Sequence, residues 1–289
     1  MIGECIACAG RRQRFLHRIG TYRIVQCPRC LLARTCGARL DPAAFYDDAY
    51  FMDPGAPKGY SDYLALAVAM ERTHEARLRR LRRLAPAAET VLDCGCGPGF
   101  FLRAAARAGL RTCGIEVSAF AARYGREQLG QPVITGPIDA EHVAAAGGPF
   151  DLITMWDTIE HLHEPASALR LLAGRLRPGG VLALSTGDVG SLAARASGAR
   201  WHLFSLPEHL WFFSVPSLRR LLARAGLREI GVRREVCWYT AQYLAERLWF
   251  SLGRSVASAP RASVLRRLAL PVTLLDIVTL HATKSASQN

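Results

Sequence analysis

Three groups of residues in this 289-residue chain have types and spacings suited to chemistry. Cys5 and Cys8 form one pair and Cys27 and Cys30 another, with two residues inside each pair and eighteen between them. Two thiolates a turn apart on each of two tight loops are the ligand set of one tetrahedral Zn2+ ion. Four sulfurs would leave that ion no open position, so its expected role is structural, and residues 1–40 would fold around it with little apolar core. Four unrelated core cysteines are the plainer alternative. Asp93, Gly95, Gly97 and Gly99, followed by Glu116, form the second group. Asp157, Glu160 and His161, with His209 further on, form the third: carboxylates and imidazoles able to move a proton or hold a cation.

The glycines discriminate between cofactors. A dinucleotide fingerprint needs G-x-G-x-x-G, but counting from Gly95 puts Phe100 where the third glycine belongs. The pattern present is D-x-G-x-G-x-G, which lets the chain turn sharply and lets a ligand lie against the backbone. Glu116 stands seventeen residues beyond Gly99, where a carboxylate accepts hydrogen bonds from both hydroxyls of a ribose. A ligand with a ribose and no required pyrophosphate site fits S-adenosylmethionine. A mere tight turn is the alternative for the glycines alone.

These residues need elements to position them. Residues 90–93 read as a short buried strand, the glycine turn follows, and residues 100–108 read as a helix: the opening of a nucleotide-binding α/β unit. Further strands are expected at 112–116, 131–135, 150–155 and 181–186, with helices beginning near Ser118, Glu164 and Ser217. This alternation predicts a mostly parallel sheet covered on both faces. In the cysteine region, residues 15–17 and 22–25 read as two strands with Gly20 at the turn. The expected organisation is a ribbon at 1–40, a linker with helices over the cleft at 41–85, and a cofactor-binding domain at 86–289. Residues 197–216, rich in Trp201, Phe204, Trp211, Phe212 and Phe213, read as a buried cover or as a lid closing over an acceptor. Residues 232–239 and 277–282 read as the last two strands, separated by a helical insertion at 240–275. Trp238, Tyr239, Tyr243, Leu244, Leu248, Trp249 and Phe250, with Arg247 and Arg254, suggest an amphipathic basic helix suited to core packing, a dimer contact or an anionic membrane surface. Residues 268–280 read as buried core or a surface-seeking helix.

Composition narrows the class. Half the residues are apolar, which excludes disorder. The formal net charge is +13, and all but two of the 37 cationic residues, Lys58 and Lys284, are arginine. Those arginines are scattered along helix-like stretches without a basic tail, which argues against nucleic acid as the partner. No run reaches the roughly 18 to 20 apolar residues needed to span a bilayer, and residues 1–13 lack a secretory signal pattern. A cytoplasmic location is expected.

VLDCGCGPGFFL, GIEVS, PFDLITMWDTIEHL and LRPGGVLALST together resemble the class I S-adenosylmethionine-dependent methyltransferases, from about Tyr60 to the C-terminus. The cysteine ribbon, RWHLFSLPEHLWFFSVPSLRRLLARAGL and DIVTLHATK resemble a bacterial subgroup related to ubiquinone-type O-methyltransferases, which serve quinone, sugar or cell-envelope glycan pathways. The resemblance implies a Rossmann-like seven-stranded sheet with an antiparallel last strand. It also implies that Gly95, Gly97 and Gly99 pass beneath the methionine part of S-adenosylmethionine, that Glu116 holds the ribose beside Val117, and that Asp93 fixes the loop or the amino group. Trp156 and Asp157 would line the cleft, with Tyr60 and Tyr63 covering it. Pro137 follows Gly136 where the family often has an acidic residue for the adenine, so Asp139 or backbone groups would take that contact.

Methyl transfer from a sulfonium needs alignment more than a nucleophile, and a hydroxyl acceptor adds a general base. His161 is the first candidate and His209 the second, with capping and backbone bonding as their structural alternatives. Asp157, Glu160 and His161 could instead hold a divalent cation. The expected acceptor is a small molecule or saccharide. An RNA methyltransferase using the ribbon and arginines, and a non-catalytic cofactor-binding protein, are the rival readings.

Overall fold

The computed structural model describes residues 4–37, 40–52, 63–251 and 262–284; Tyr60 lies outside them. The chain opens with strands β1 (Arg14–Ile19), β2 (Tyr22–Gln26) and β3 (Ala33–Cys36). Helices α1 (Pro42–Phe45), α2 (Asp48–Met52) and α3 (Ala67–Leu84) lead into β4 (Thr90–Cys94). Alternation follows: α4 (Phe100–Arg107), β5 (Arg111–Glu116), α5 (Ala119–Glu127), β6 (Val133–Thr135), α6 (Ala140–Ala145), β7 (Phe150–Trp156), α7 (Pro165–Arg175) and β8 (Leu176–Gly187). The remaining elements are α8 (Leu192–Ser197), β9 (Trp211–Phe212), α9 (Val215–Arg224), β10 (Leu227–Arg234), β11 (Cys237–Thr240), α10 (Ala241–Ser251), α11 (Ser263–Arg267), β12 (Ala269–Val272) and β13 (Ile277–Lys284).

The main sheet has seven strands in the order β10-β13-β8-β7-β4-β5-β6. Strands β4 to β8 run parallel, and β13 is antiparallel to both β8 and β10. Sequential strands leave β4 in one direction and β7 in the other, so a crevice opens between them at their carboxyl ends. Both are apolar and covered on each face, as a central parallel strand must be. Phe101, Leu152 and Met155 are fully buried here, each worth about 1.5 to 3 kcal/mol of burial. Helix starts are set by caps: the side chains of Ser118, Asp139, Ser191 and Ser214 accept from backbone N–H groups in the first turn, and Pro165 opens α7. Helix α9 begins at Val215, behind a capping box made by Ser214 and Ser217.

The C-terminal region departs from the sequence reading. Residues 232–239 do not form one strand: β10 ends at Arg234, and Cys237–Thr240 is a separate strand paired with β12. Trp238 and Tyr239 are therefore in a strand, and the helix starts only at Ala241. Residues 268–280 form no helix; they contribute β12, a connection exposing Leu274 and Leu275, and the start of β13. Pro271 cannot donate a ladder hydrogen bond, but a two-stranded ribbon has free edges where that costs nothing.

The cysteine region is a four-stranded antiparallel sheet in the order β1-β2-β3-β9, so its last strand comes from residues 211–212. Segment 197–213 packs on it through Trp201, Leu206 and Phe212 against Ile24 and Ala33.

Candidate functional site

Strand β4 delivers Asp93 and the glycine turn to the crevice. Gly95, Gly97 and Gly99 have φ of +73°, +53° and +86°, a region costly for residues with a Cβ. A Cβ on Gly95 would lie 2.4 Å from Thr158 Cγ2, so the turn is closed against β7's exit as well as conformationally restricted. Gly95 N–H donates to Ile115 O (2.8 Å), tying the turn to β5. Glu116, buried at the end of β5, accepts from Gly97 N–H at 2.7 Å and Ser118 N–H at 2.8 Å. Its carboxylate therefore ties the glycine turn to the start of α5, with half-buried Val117 between. Burial pushes the Glu116 carboxyl above its ordinary value. Asp93 is buried beneath the turn and accepts from Thr154 Oγ1 at 2.6 Å; burial pushes its carboxyl up to about 7.

Tyr63 covers the turn: its hydroxyl lies 3.9 Å from where a Gly97 Cβ would sit, and its ring stacks on Phe100. Asp139 follows β6, where it caps α6 and its Oδ1 holds His142 at both the backbone N–H and Nδ1.

Trp156 and Asp157 leave β7 together. Trp156 lies beneath the Arg77 guanidinium, 4.3 Å from ring centre to Cζ. Arg77 also reaches Asp157 (3.4 Å), Glu235 (3.3 Å) and Ser185 Oγ (3.2 Å). Burial opposes its charge, and Asp157 and Glu235 more than offset that, holding it firmly cationic. Sequence reasoning missed Arg77, which sits in the basic run of α3. The signal was present: Ala69, Thr73, Arg77 and Leu81 recur every four residues and form the buried stripe of that helix.

Asp157 thus faces Arg77 and Ser185, and the three-residue cluster expected at Asp157, Glu160 and His161 is not the one that assembles. The donors brought within 4.8 Å of one another belong to Glu160, His161 and His209. The reason is local: Asp157 adopts φ +52° and turns away, while residues 159–161 form a 3-10 turn aimed at the segment carrying His209. The His161 and His209 ring centres are 4.7 Å apart.

His161 Nδ1 lies 3.0 Å from Glu208 O and 2.8 Å from Tyr46 Oη. A carbonyl oxygen only accepts, so Nδ1 is assigned the proton and Nε2 keeps its lone pair. His209 Nδ1 likewise faces Leu203 O at 2.8 Å, which assigns it the same tautomer. Burial lowers the His161 pKa below its ordinary value, keeping the imidazole neutral. Glu160 is buried, its Oε2 has no hydrogen-bond partner among the described residues, and burial followed by the nearby Asp157 charge pushes its carboxyl up to about 8. Tyr46 was not anticipated; it comes from α1's C-cap, and with Tyr50 and Tyr63 it roofs the site as a half-buried aromatic layer.

The four ribbon cysteines converge as expected. Cys5 Sγ is 3.5 Å from Cys30 Sγ, and Cys8 Sγ is 3.5 Å from Cys27 Sγ. A ZnS4 tetrahedron with bonds of about 2.3 Å has edges near 3.8 Å, so the donors fit zinc with a small adjustment. The two knuckles match: Ala9 N–H bonds Cys5 O and Leu31 N–H bonds Cys27 O, each at 2.8 Å, with Ala9 and Leu31 both left-handed.

Residues 68–230 match the family model described as a methyltransferase domain. A ubiquinone biosynthesis O-methyltransferase of Thiobacillus denitrificans is 35% identical over 162 residues, covering 52% of this chain and 70% of the relative. One from Methylobacterium sp. (strain 4-46) is 33% identical over 147 residues, covering 48% of this chain, which spans 59% of that relative's length. Among solved structures, an Archaeoglobus fulgidus S-adenosylmethionine-dependent methyltransferase superposes with a TM-score of 0.51 at 18% identity, covering 74% of this chain and 94% of that one. Magnesium protoporphyrin IX methyltransferase from Synechocystis PCC 6803, solved with bound SAH, gives 0.50 at 16% identity, covering 76% and 86%. At these identities the structural likeness is one of fold.

Proposed function

This chain belongs to the methyltransferase-domain family, and we propose that it transfers a methyl group from S-adenosylmethionine to a hydroxyl oxygen of a small quinone-type or saccharide acceptor. Bound in the crevice at the carboxyl ends of β4 and its neighbours, S-adenosylmethionine would supply a sulfonium methyl already activated for in-line displacement. The glycine turn, Glu116 and Val117 would hold its methionine and ribose portions, Asp93 would brace the turn, and Trp156 with Tyr63 would exclude water.

The observation that carries the acceptor half is the pair His161 and His209, their ring centres 4.7 Å apart, with His161 Nδ1 facing the Glu208 carbonyl and His209 Nδ1 the Leu203 carbonyl. As the acceptor oxygen bonded to the methyl carbon and the sulfur–methyl bond broke, one of the two imidazoles would take the hydroxyl proton; such a base contributes about 100- to 10,000-fold. The tyrosine layer of Tyr46 and Tyr50 supports a ring-shaped acceptor, since aromatic faces stack on quinones and sugars alike. The reading is tested by methyl transfer to a panel of catechols, quinols and nucleotide sugars with wild type, His161→Gln and His209→Gln. Loss of turnover by 100-fold or more in a variant, with SAH affinity retained, supports it; full turnover in both rejects the histidines as bases.

A second reading rests on the buried Glu160 Oε2, without a hydrogen-bond partner among the described residues, beside His161 and His209. That donor set suits a divalent cation, which would lower the pKa of a coordinated acceptor hydroxyl. Activation by Mg2+, Mn2+ or Zn2+ that vanishes in Glu160→Gln separates it from the metal-free base. For a lipid-linked acceptor, exposed Val264, Leu268, Leu274 and Leu275, with exposed Arg266 and Arg267 in the same stretch of chain, support docking on an anionic bilayer, tested by cosedimentation with phosphatidylglycerol vesicles.

A further inference from the structure

The segment carrying His209 is held from two sides, and one of them is the cysteine ribbon. On the crevice side, Leu210 N–H donates to Glu160 O (2.9 Å) and Trp211 Nε1–H to Leu162 O (2.9 Å). On the ribbon side, Thr35 N–H donates to Leu210 O (3.0 Å), and Thr35 Oγ1–H donates to His209 O (2.9 Å). Ladder pairs Ala33–Phe212 and Arg34–Trp211 continue the contact, and Ser214 Oγ–H closes it on Cys30 O at 2.6 Å. Strand β3 is itself anchored by the knuckle that joins it to β2: Cys27 N–H bonds Leu32 O, and Cys27 and Cys30 lie within that connection.

We propose that Thr35 is a positioning residue for His209, so that metal in the four-cysteine site sets the acceptor-side geometry while leaving the cofactor crevice alone. The kinetic part of this rests on the methyl-transfer reading; the structural part does not. A small ribbon stapled by a metal loses its fold with that metal. Residues 208–214 then keep their crevice contacts but lose their second edge, and His209 loses its fixed carbonyl. The glycine turn, Glu116 and Asp93 are braced by β5, α5 and β7 and make none of these bonds with the ribbon. Tight positioning matters because misplacement of about an ångström can cost 100-fold in rate.

The test compares zinc-loaded protein, zinc-stripped protein, and zinc-loaded Thr35→Val and Thr35→Ser. Readouts are amide hydrogen exchange resolved to residues 205–214 and 90–116, SAH affinity by calorimetry, and methyl transfer. On stripping, exchange is expected to accelerate tenfold or more in 205–214 and to stay unchanged in 90–116, with the SAH Kd within twofold. Thr35→Val is expected to lower kcat about tenfold, the effect of one lost hydrogen bond, at unchanged KM for S-adenosylmethionine; Thr35→Ser, which keeps the hydroxyl, restores it. Unchanged exchange in 205–214 after stripping overturns the proposal. So does exchange that rises equally across 90–116, or Thr35→Ser behaving like Thr35→Val. If zinc-loaded wild type fails to bind SAH, the methyl-transfer reading falls, and the exchange data still judge the coupling.

Discussion

Replacing Arg77 by methionine is the sharpest test of how the crevice is held together. The side chain is 5% exposed and joins α3 to the end of β7 and to the β10–β11 junction, so its removal strands partners on three elements. Glu235 is the main one: its carboxylate is 14% exposed, one oxygen takes the Arg77 bond and the other accepts from Thr279 Oγ1. Losing one charge-assisted bond there costs about 1.5 to 3 kcal/mol. The desolvated guanidinium stack on Trp156 adds about 1 to 2 kcal/mol. The Asp157 pair is discounted to under about 1 kcal/mol, because that carboxylate is 49% exposed and water screens it. The total of about 2.5 to 6 kcal/mol brackets the usual cost, about 3 to 5 kcal/mol, of breaking a buried pair. Urea unfolding in zinc-containing buffer should show the midpoint falling with an unchanged slope. Adding Glu235→Gln should recover part of the loss, giving a coupling of about 1.5 kcal/mol or more in the double-mutant cycle. A single-variant loss below about 1 kcal/mol, or a coupling near zero, would refute the claim that Arg77 is an electrostatic hub.

Three further outcomes follow from the same geometry. Gly95→Ala should destabilise the protein by about 2 to 4 kcal/mol through the left-handed backbone and the approach to Thr158, and Thr158→Ala should relieve the contact but not the φ penalty; equal melting of Gly95→Ala and wild type would show the turn is not strained. Because burial lowers the His161 pKa, its neutral form persists below pH 6.5, so kcat should be flat at neutral pH and fall only on an acid limb placed below that value as the imidazole protonates; a limb above pH 7 would contradict the assigned environment. One zinc per chain should be released on mercurial titration of the thiols, and Cys8→Ser should lose it; a zinc content unchanged by Cys8→Ser would show the ion is held elsewhere.

What can be read directly from the residue string is what depends on short spacings. The paired cysteines, the D-x-G-x-G-x-G turn, Glu116 at the next strand's end and the β/α alternation all lie within a few turns of chain. Each obeys a local rule: ligand spacing, the φ demanded of glycine, or the apolar run of a strand covered on both faces. Those rules hold wherever the segment packs, so the reading and the fold coincide there. The C-terminal hairpin shows the limit, since residues 268–280 are apolar without a clear period, and only pairing of β12 with β11 made part of them a strand.

Tertiary structure decided which residues meet. His161 and the carbonyl of Glu208 are 47 positions apart, and Thr35 and His209 are 174 apart; no periodicity links such pairs. The ribbon recruits its fourth strand from residues 211–212 because β3 has an unpaired edge, and an edge takes whatever strand the fold delivers. Arg77 joined the crevice for a related reason: its place on the helix stripe was written in the sequence, but what that stripe faced was settled by how α3 packs on the sheet. Residue order thus determined the local chemistry of this protein. Long-range packing, which has no short-range signature, decided its assembly into a site.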